Sequence, residues 1–424
     1  MRAVYAESIN SKEPLAGLVV ADLSRVLAGP LVCATLADLG ARVIKVEQPG
    51  TGDGTRGWAP PASPTGSTYF DSANRGKESV ALDLADPDDR ALALELVARA
   101  DVVVENFLPP VAARLGLDRD ALLAEHPRLV WCSITGFGPA APERPGYDFV
   151  VQAASGLMHI TGEADGPPSK VGVAIVDVLT AKDALVGILA ALHRRERTGR
   201  GGLVETALLS SAQAALVNQL QAVLGPIRPD ERLAGAAHAP DPDAPKPDAP
   251  MPDAPSPDAP TREPARAGSA HPSIVPYQLL RTADAPLAVA VGTDAQFRAL
   301  AGILGAEQLA DDPRFATNTQ RVAHRDALVP ELERALAAGT AAAWEARLQA
   351  AGLVASRVRT ISEGLALAEA VGLEPVREVR GAAGTGRQVA SPIRIDGSAR
   401  TATSAPPLRD EHGDAIRAWL RTPR

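Results

Sequence analysis

Asp177 has the type and position that most suggest chemistry, because this single carboxylate closes the apolar run Val171–Val176. Leucine and valine recur at helical spacing beyond it. The pattern therefore predicts a buried extended segment followed by a helix that begins near Val178. Two compatible interpretations of the carboxylate are open. It caps the helix by accepting a backbone N–H of the first turn, or it stays ionised near the positive helix end and acts as a nucleophile.

Further polar groups stand at the ends of predicted strands. Glu105–Phe107 follows one strand, Asn74–Lys77 precedes another, and Gly146–Asp148 precedes the segment Val150–Met158. Each group alone is ordinary, since asparagine caps turns, phenylalanine fills cores and charged side chains cover surfaces. Doubly wound sheets bind ligands where their strands end, so together these groups outline one candidate pocket.

Several familiar motifs are absent from the sequence. After the first predicted strand the chain reads Leu27–Pro30, without the G-x-G-x-x-G fingerprint of dinucleotide binding. A G-x-x-x-x-G-K-[ST] phosphate loop, an H-x-x-x-H metal pair and a G-x-S-x-G nucleophile elbow are also missing. We therefore expect neither a metal ion nor a permanently bound cofactor.

Composition narrows the class of protein. The 424 residues carry a net charge of −8 and no dense run of Lys or Arg, which argues against nucleic acid as a partner. No stretch reaches the ~18 apolar residues of a membrane span, and Met1–Pro14 lacks the apolar core of a secretion signal. Cys33 and Cys132 lie outside any C-x-x-C and are expected to be buried reduced thiols. The expected location is the cytoplasm.

Strand and helix patterns alternate through the first half of the chain. This alternation predicts an α/β fold with a doubly wound, mostly parallel, Rossmann-like sheet. The predicted strands are Gly17–Leu23, Ala41–Glu47, Ser79–Leu84, Asp101–Glu105, Leu129–Thr135 and Leu203–Ala207. The main predicted helices are Asp86–Arg99, Val178–Arg197 and Leu208–Leu224, with one more between Pro30 and Gly40.

A change of composition divides the chain into domains. We expect a large α/β domain over 1–224, a linker over 225–269 and a smaller α+β domain over 270–389, with 390–424 returning to the large domain. The linker holds the unit Pro-Asp-Ala-Pro-x four times in Pro242–Thr261. Such a repeat buries no apolar surface, so we expect a disordered, polyproline-like insert.

The motifs taken together resemble those of the class III coenzyme A transferases of the CaiB/BaiF type. The resemblance runs from Leu15 to about Leu420, outside the insert. The stretches that carry it, in order along the chain, are Asp22–Pro30, Gly40–Glu47, Val104–Phe107, Ser133–Gly138 and Thr198–Gly201.

The resemblance implies a covalent mechanism with Asp177 as nucleophile. Asp177 would attack the donor acyl-CoA to form a mixed anhydride, and CoA thiolate would return to give an aspartyl-CoA thioester that the acceptor carboxylate displaces. Such intermediates retain the energy of the thioester. Backbone N–H groups at the helix start are expected to stabilise the oxyanions. The family also implies a homodimer of interlinked chains.

The resemblance further implies the residues of the CoA site, namely Val26, Leu27, Ala28, Gln48, Leu82, Asn106, Phe107, Arg114 and Tyr147. Some members carry an arginine at the position of Gln48, so the missing cation should come from Arg75 or Arg114. Ser155–Gly162 and His271–Gln278 look most like the succinyl-CoA:glutarate type of transferase, which implies a short dicarboxylate as acceptor. Candidate contacts to that substrate are Asp148, His159, Ser273 and Tyr277.

Two alternatives remain open. An α-methylacyl-CoA racemase shares the fold but carries a histidine where this chain has Tyr147, and tyrosine is a poor proton acceptor at neutral pH. A non-catalytic acyl-CoA-binding protein is the other alternative, because Gln48 removes a family contact to CoA.

Overall fold

The computed structural model describes residues 13–225 and 263–423, and the large α/β part is built on a six-stranded parallel sheet. In chain order the first strands are β1 Val19–Asp22, β2 Arg42–Glu47, β3 Ala62–Ser63, β4 Gly66–Ser67, β5 Lys77–Ala81, β6 Val102–Glu105, β7 Val130–Thr135 and β8 Gly202–Ala207. The sheet has the order β5-β2-β1-β6-β7-β8, while β3 and β4 form a separate antiparallel pair. This is the strand order of doubly wound folds, with its switch point between β1 and β6. The predicted fold class is confirmed.

Helices cover both faces of this sheet. They are α1 Ala28–Asp38, α2 Thr68–Ser72, α3 Pro87–Arg99, α4 Pro109–Arg114, α5 Arg119–Glu125, α6 Asp148–Ala154, α7 Leu157–Ile160, α8 Ile175–Thr198, α9 Leu208–Ala215 and α10 Val217–Leu224. Alternate residues of each strand enter opposite cores. Val20 and Val102 pack with α1 and α8, whereas Ala21 and Val103 pack with α3. Strands buried on both faces need such continuous apolar runs, which is why the sequence pattern located them.

The second half of the chain forms a smaller α+β lobe with its own core. Strands β9 Tyr277–Arg281, β10 Pro286–Ala290 and β11 Val354–Arg357 form an antiparallel sheet in the order β11-β10-β9. Its helices are α11 Asp294–Leu304, α12 Gln308–Asp311, α13 Asn318–Ala323, α14 Arg325–Leu336 and α15 Ala341–Ala350. Phe297, Leu328 and Trp344 lie at the centre of this core.

The chain then returns to the large sheet. The elements are α16 Ile361–Ala370, the hairpin β12 Val376–Gly381 and β13 Gly384–Val389, the short pair β14 Arg394–Ile395 and β15 Ser398–Ala399, and α17 Gly413–Leu420. Ile416 and Leu420 of α17 are buried in the core beneath β5 and α3. None of the helices in 13–225 and 263–423 has both the length and the apolar character that crossing a bilayer requires.

Some predicted elements differ from the structure. The helix predicted over Leu208–Leu224 divides at Leu216 into α9 and α10. The strand predicted over Ser79–Leu84 lies at Lys77–Ala81, because the polar side chains of Lys77 and Ser79 are buried in the sheet. The repeat Pro242–Thr261 lies outside the described residues.

Candidate active site

Asp177 is the third residue of α8 and is 9% exposed. The sequence pattern placed the helix start near Val178, which is wrong, because α8 begins at Ile175 with Ala174 at its N-cap. The capping interpretation of Asp177 is therefore also wrong. Within 13–225 and 263–423 no group donates a hydrogen bond to its carboxylate. A nearly buried carboxylate without a protein donor is costly for a fold and typical of a reactive group.

The group that caps α8 is Asp148, from the start of α6. The N–H of Val176 donates to Asp148 Oδ1 at 2.7 Å, and the N–H of Asp177 donates to the same atom at 3.3 Å. The N–H of Ile175 and of Val178 donate to carbonyl oxygens at 2.8 Å and 3.2 Å. All the backbone donors of the first turn are thus engaged. The expectation that they stabilise oxyanions is wrong for this state of the protein.

The segment before α8 is a loop rather than the predicted extended strand. Val173 is 60% exposed, although the surrounding sequence is apolar. Gln152 holds the loop, since its Oε1 accepts the N–H of Val171 at 2.9 Å and its Nε2 donates to Val173 O at 3.4 Å. An apolar run forms a strand only beside another strand, and no strand within 13–225 and 263–423 pairs with this run.

Electrostatics distinguish Asp177 from the other carboxylates. Burial, and then the charge of Asp148, raise the pKa of Asp177 to about 7. Burial and the charge of Asp177 in turn raise the pKa of Tyr69 to about 12, so the Tyr69 hydroxyl keeps its proton at neutral pH. Tyr69 lies on α2, and its ring packs against Trp58 with 4.9 Å between centroids. Sequence analysis missed both aromatic residues, because no motif links them to Asp177.

The loop between β1 and α1 holds Val26 and Leu27 of the predicted CoA site, and Ala28 of that site is the first residue of α1. Val26 has a φ of 71°, a left-handed conformation that is strained for a β-branched side chain. Leu27 is the N-cap of α1 and supplies no side-chain cap. The N–H groups of Ala28 and Gly29 donate to no other residue in the described ranges. The start of α1 therefore presents free backbone donors at the switch point of the sheet.

Asn106 fixes this loop from the end of β6. Its Oδ1 accepts the N–H of Arg25 at 2.9 Å, and its Nδ2 donates to Arg25 O at 2.8 Å. Both ends of the carboxamide are engaged with one backbone unit. Asn106 thus lies in the predicted CoA site, and its side chain holds the backbone of the Arg25–Val26 loop.

A small cavity of about 30 Å³ brings more of the predicted CoA residues together. Gln48, Leu82 and Phe107 share its wall with Arg25, whose guanidinium carbon lies 5.2 Å from the centre of the Phe107 ring. Arg25 is exposed and makes no ion pair with a described residue. Sequence analysis did not name Arg25, although it stands next to Val26 in the Asp22–Pro30 motif.

Of the two arginines proposed to replace the cation missing at Gln48, the structure excludes Arg75. Arg75 is 4% exposed and pairs with Asp38, with 2.5 Å from Nη2 to Oδ2 and 3.0 Å from Nε to Oδ1. Its guanidinium holds α1 to the chain before β5. Arg114, at the end of α4, is exposed and has no ion pair among the described residues.

Buried charges support the loops around the switch point. Lys77 donates to Asp22 at 2.7 Å, and Lys45 contacts Asp53 at 3.0 Å and donates to Ser24 O at 2.8 Å. Burial disfavours the Asp22 carboxylate, but Lys45 and Lys77 outweigh this effect and lower its pKa to about 2. Through Lys45, these contacts connect the loop that contains Ser24 to the loop that contains Asp53 and leads to Trp58. Sequence analysis did not identify this network.

The predicted substrate contacts lie on separate elements. Asp148 is the first residue of α6 and His159 is exposed on α7, while Tyr147 of the predicted CoA site is 60% exposed at the N-cap of α6. Ser273 and Tyr277 belong to the small lobe, where the Tyr277 ring lies 5.3 Å from that of His271. Across the described ranges no hydrogen bond or ion pair joins the side chain of Asp177 to the substrate contacts His159, Ser273 and Tyr277 or to Tyr147 of the predicted CoA site.

Comparisons with known proteins show that this chain is similar to the members of one family. The sequence model of the family described as CoA-transferase family III matches residues 15–241 and 251–413. Succinate–glutarate CoA-transferase of Agrobacterium fabrum is 43% identical over 324 residues, which are 74% of this chain and 72% of that relative. Acetyl-CoA:oxalate CoA-transferase of Acetobacter aceti is 36% identical over 417 residues, 97% of each chain. The crystal structure of a CaiB/BaiF family protein from Brucella suis is 38% identical, with a TM-score of 0.76 over 95% of this chain and 98% of that one.

Proposed function

The chain belongs to CoA-transferase family III and is a CoA transferase, and we propose that it moves CoA from succinyl-CoA to a short dicarboxylic acid such as glutarate. The resemblance seen in the sequence motifs is confirmed. The transferase names of the relatives favour this activity over the racemase and the non-catalytic binding protein. Both named acceptors, glutarate and oxalate, are dicarboxylates, which supports a diacid as acceptor.

One observation carries the catalytic part of the proposal. Asp177 is a nearly buried carboxylate with a pKa of about 7 and no hydrogen-bond donor among the described residues. Its helix α8 packs directly on α1, which follows the predicted CoA loop. This packing supports a site in which the Asp177 carboxylate attacks a thioester bound near the start of α1, where the Ala28 and Gly29 N–H groups are free.

The reaction proceeds in four displacements without net proton transfer. An Asp177 oxygen attacks the thioester carbon, the C–S bond breaks, and CoA thiolate leaves a mixed anhydride. The thiolate attacks the Asp177 carbonyl carbon and releases the donor acid, which forms the aspartyl-CoA thioester. The acceptor carboxylate displaces the thiolate to form a second anhydride. The thiolate then attacks the acceptor acyl carbon and restores the Asp177 carboxylate.

Groups other than the α8 backbone must stabilise the oxyanions. The Tyr69 hydroxyl is protonated and close enough to Asp177 for the two to interact electrostatically. We assign it as one donor to the developing oxyanion. The free N–H groups of Ala28 and Gly29 are further donors for the bound thioester or for CoA.

The proposed CoA site combines the remaining predicted residues. Val26 and Leu27 shape the loop, Asn106 fixes it, and Leu82 and Phe107 provide an apolar wall next to Gln48. Arg25 and Arg114 supply cations for the phosphates of CoA. Tyr147 is exposed at the start of α6, on the side of Asp148 and the first turn of α8.

The distal carboxylate of the acceptor needs a partner of its own, because burying an unpaired charge costs several kcal/mol. His159, Ser273 and Tyr277 are the proposed contacts, and all three are exposed in the single chain. We propose that a second copy of the chain covers these three residues. Large apolar side chains are exposed on several elements, among them Phe149, Val217 and Ile361, and no residue of α16 is buried. We therefore propose a homodimer.

An acceptor screen tests the proposed substrates. Succinyl-CoA is incubated with glutarate, malate, oxalate, butyrate or hexanoate, and the new acyl-CoA is measured by mass spectrometry. We expect diacids to exceed monoacids by at least about tenfold in kcat/KM, since a site built for a carboxylate leaves polar groups unpaired with an alkyl chain. A preference for butyrate or hexanoate contradicts the acceptor class. Light scattering of the same sample gives the mass of the assembly.

A further inference from the structure

Asp148 accepts the two backbone N–H groups of α8 that the side chain of an N-cap residue normally accepts. The N–H groups of Val176 and Asp177 are those of the second and third helical residues, and both donate to Asp148 Oδ1. Ala174 stands at the N-cap and has no polar side chain. The cap therefore comes from another helix, 28 residues earlier in the chain.

We propose that Asp148 is a positioning residue, whose carboxylate caps α8 from α6 and thereby fixes Asp177 for attack on the thioester. This role replaces the substrate contact that the sequence suggested for Asp148. The inference rests on the proposed function of Asp177 as nucleophile.

The second oxygen of Asp148 extends the same connection. Gln152 Nε2 donates to Asp148 Oδ2 at 2.6 Å, and Gln152 Oε1 accepts the N–H of Val171 at 2.9 Å. Gln152 is 0% exposed and Asp148 is 9% exposed. A continuous chain of hydrogen bonds thus joins the loop before α8, Gln152, Asp148 and the first turn of α8. Both Asp148 oxygens point to protein donors, which leaves no free oxygen pair for a substrate cation or hydroxyl.

The direction of each hydrogen bond in this chain is fixed by chemistry. The backbone N–H groups at both ends only donate, so Asp148 must accept at Oδ1 and Gln152 must accept at Oε1. Gln152 then has only its NH₂ group left for Asp148. An asparagine in place of Asp148 would set its own NH₂ against that NH₂, and no flip of either amide would satisfy all four contacts.

A side-chain exchange separates geometry from charge. Asp148→Asn breaks the contact with Gln152, whereas the double variant Asp148→Asn/Gln152→Glu restores it. In the double variant the new amide donates to the new carboxylate, and that carboxylate still accepts the N–H of Val171. Only the long 3.4 Å bond from Gln152 Nε2 to Val173 O is lost. The exchange keeps the net charge and both N–H bonds of α8. Gln152→Glu alone places two carboxylates in contact and is the second single variant of the cycle.

We expect Asp148→Asn to lower kcat by about 10- to 100-fold, as small misplacements of a nucleophile do. KM for succinyl-CoA should stay within about threefold, because CoA binds to other elements. The double variant should recover kcat to within about fivefold of the natural protein, a coupling that independent sites do not show.

Asp86→Asn is the matched control. Asp86 caps α3 by accepting the N–H groups of Asp88 and Asp89 at 2.9 Å and 3.1 Å, so it has the same two bonds in a helix that carries no proposed catalytic residue. This variant should leave kcat unchanged. Melting temperatures of all variants are measured in parallel.

Asp177→Asn tests the underlying function separately, since it should abolish transfer in a folded protein. If Asp177→Asn is inactive but Asp148→Asn keeps full kcat, the positioning role is wrong and the nucleophile stands. If the exchange fails to restore kcat although its melting temperature returns to that of the natural protein, Asp148 acts through its own charge and the positioning role is again wrong.

Discussion

Asp148 accepts the backbone N–H of Asp177 at 3.3 Å, so the chain holds two nearly buried carboxylates side by side at one helix start. Burial is the larger cause, and the Asp148 charge the second, of the raised pKa of Asp177. A carboxylate of high pKa is a stronger nucleophile once ionised. Burial, the larger cause, therefore favours attack by Asp177, while the Asp148 cap fixes the position of its helix turn.

The rate of transfer should depend on the ionisation of Asp177. Only the carboxylate attacks, so kcat/KM should be constant above pH 8 and fall about tenfold per pH unit below pH 6, with a midpoint near the pKa of about 7. Asp148 on α6 and Tyr69 on α2 are the titratable groups that interact with it. Initial rates at fixed ionic strength give the profile. Retention of the native circular dichroism at pH 5.5 is the control, and a midpoint near pH 4 would contradict this assignment.

Asp177→Asn should make the protein more stable at high pH. The pKa of Asp177 lies above the ordinary value of 3.8, so the folded protein binds this proton more tightly than the unfolded chain does. The resulting stability is complete below pH 4 and is lost as the pH rises through about 7. Asparagine does not ionise, so the variant does not lose stability in this way as the pH rises. At pH 8 the free energy of unfolding should therefore rise by on the order of 1–4 kcal/mol.

Urea titrations of both proteins at pH 4.5 and pH 8 measure this effect. The difference between the two should shrink at the lower pH. An asparagine variant less stable than the natural protein at pH 8 would show that the carboxylate has a stabilising partner.

The sequence alone predicted the strands of the sheet but only part of the candidate active site. Buried parallel strands such as Val102–Glu105 are continuous apolar runs, so their positions are readable locally. Asp177 was found because motif and position agree. The residue that caps its helix was not found, because Asp148 and Val176 are 28 residues apart and come into contact only in the folded chain. The apolar run before α8 predicted a strand for the same reason, since pairing partners are not visible in a local pattern.

The CoA cation should be Arg25 rather than Arg75. Arg25 is exposed and unpaired among the described residues, whereas Arg75 is committed to Asp38. Arg25→Gln should raise KM for succinyl-CoA about three- to tenfold with little change in kcat, which is the loss of one charge-assisted contact.

Arg75→Gln is the comparison for that variant. It should lower the melting temperature, because it leaves the buried Asp38 unpaired, and should leave KM nearly unchanged. The reverse result, with KM sensitive to Arg75 and not to Arg25, would contradict this part of the CoA site.

Val26→Gly should stabilise the protein while weakening its function. Val26 has a φ of 71°, where glycine is unstrained, so the free energy of unfolding should rise by roughly 1 kcal/mol. The freed loop should raise KM for succinyl-CoA. Val389→Gly, at an exposed valine of β13, should instead lower stability by about 0.5–1 kcal/mol. A destabilising Val26→Gly would show that side-chain packing outweighs the strain.

Trapping the covalent intermediate tests the central claim most directly. The enzyme is incubated with succinyl-CoA and neutral hydroxylamine, digested, and the peptide that contains Asp177 is sequenced by mass spectrometry. An activated acyl group at a carboxylate reacts to a stable hydroxamate, whereas a free carboxylate does not. We predict a hydroxamate at Asp177 that requires acyl-CoA, with Asp148 unmodified in the same digest. Sustained transfer without modification of Asp177, or transfer by folded Asp177→Asn, would contradict the account.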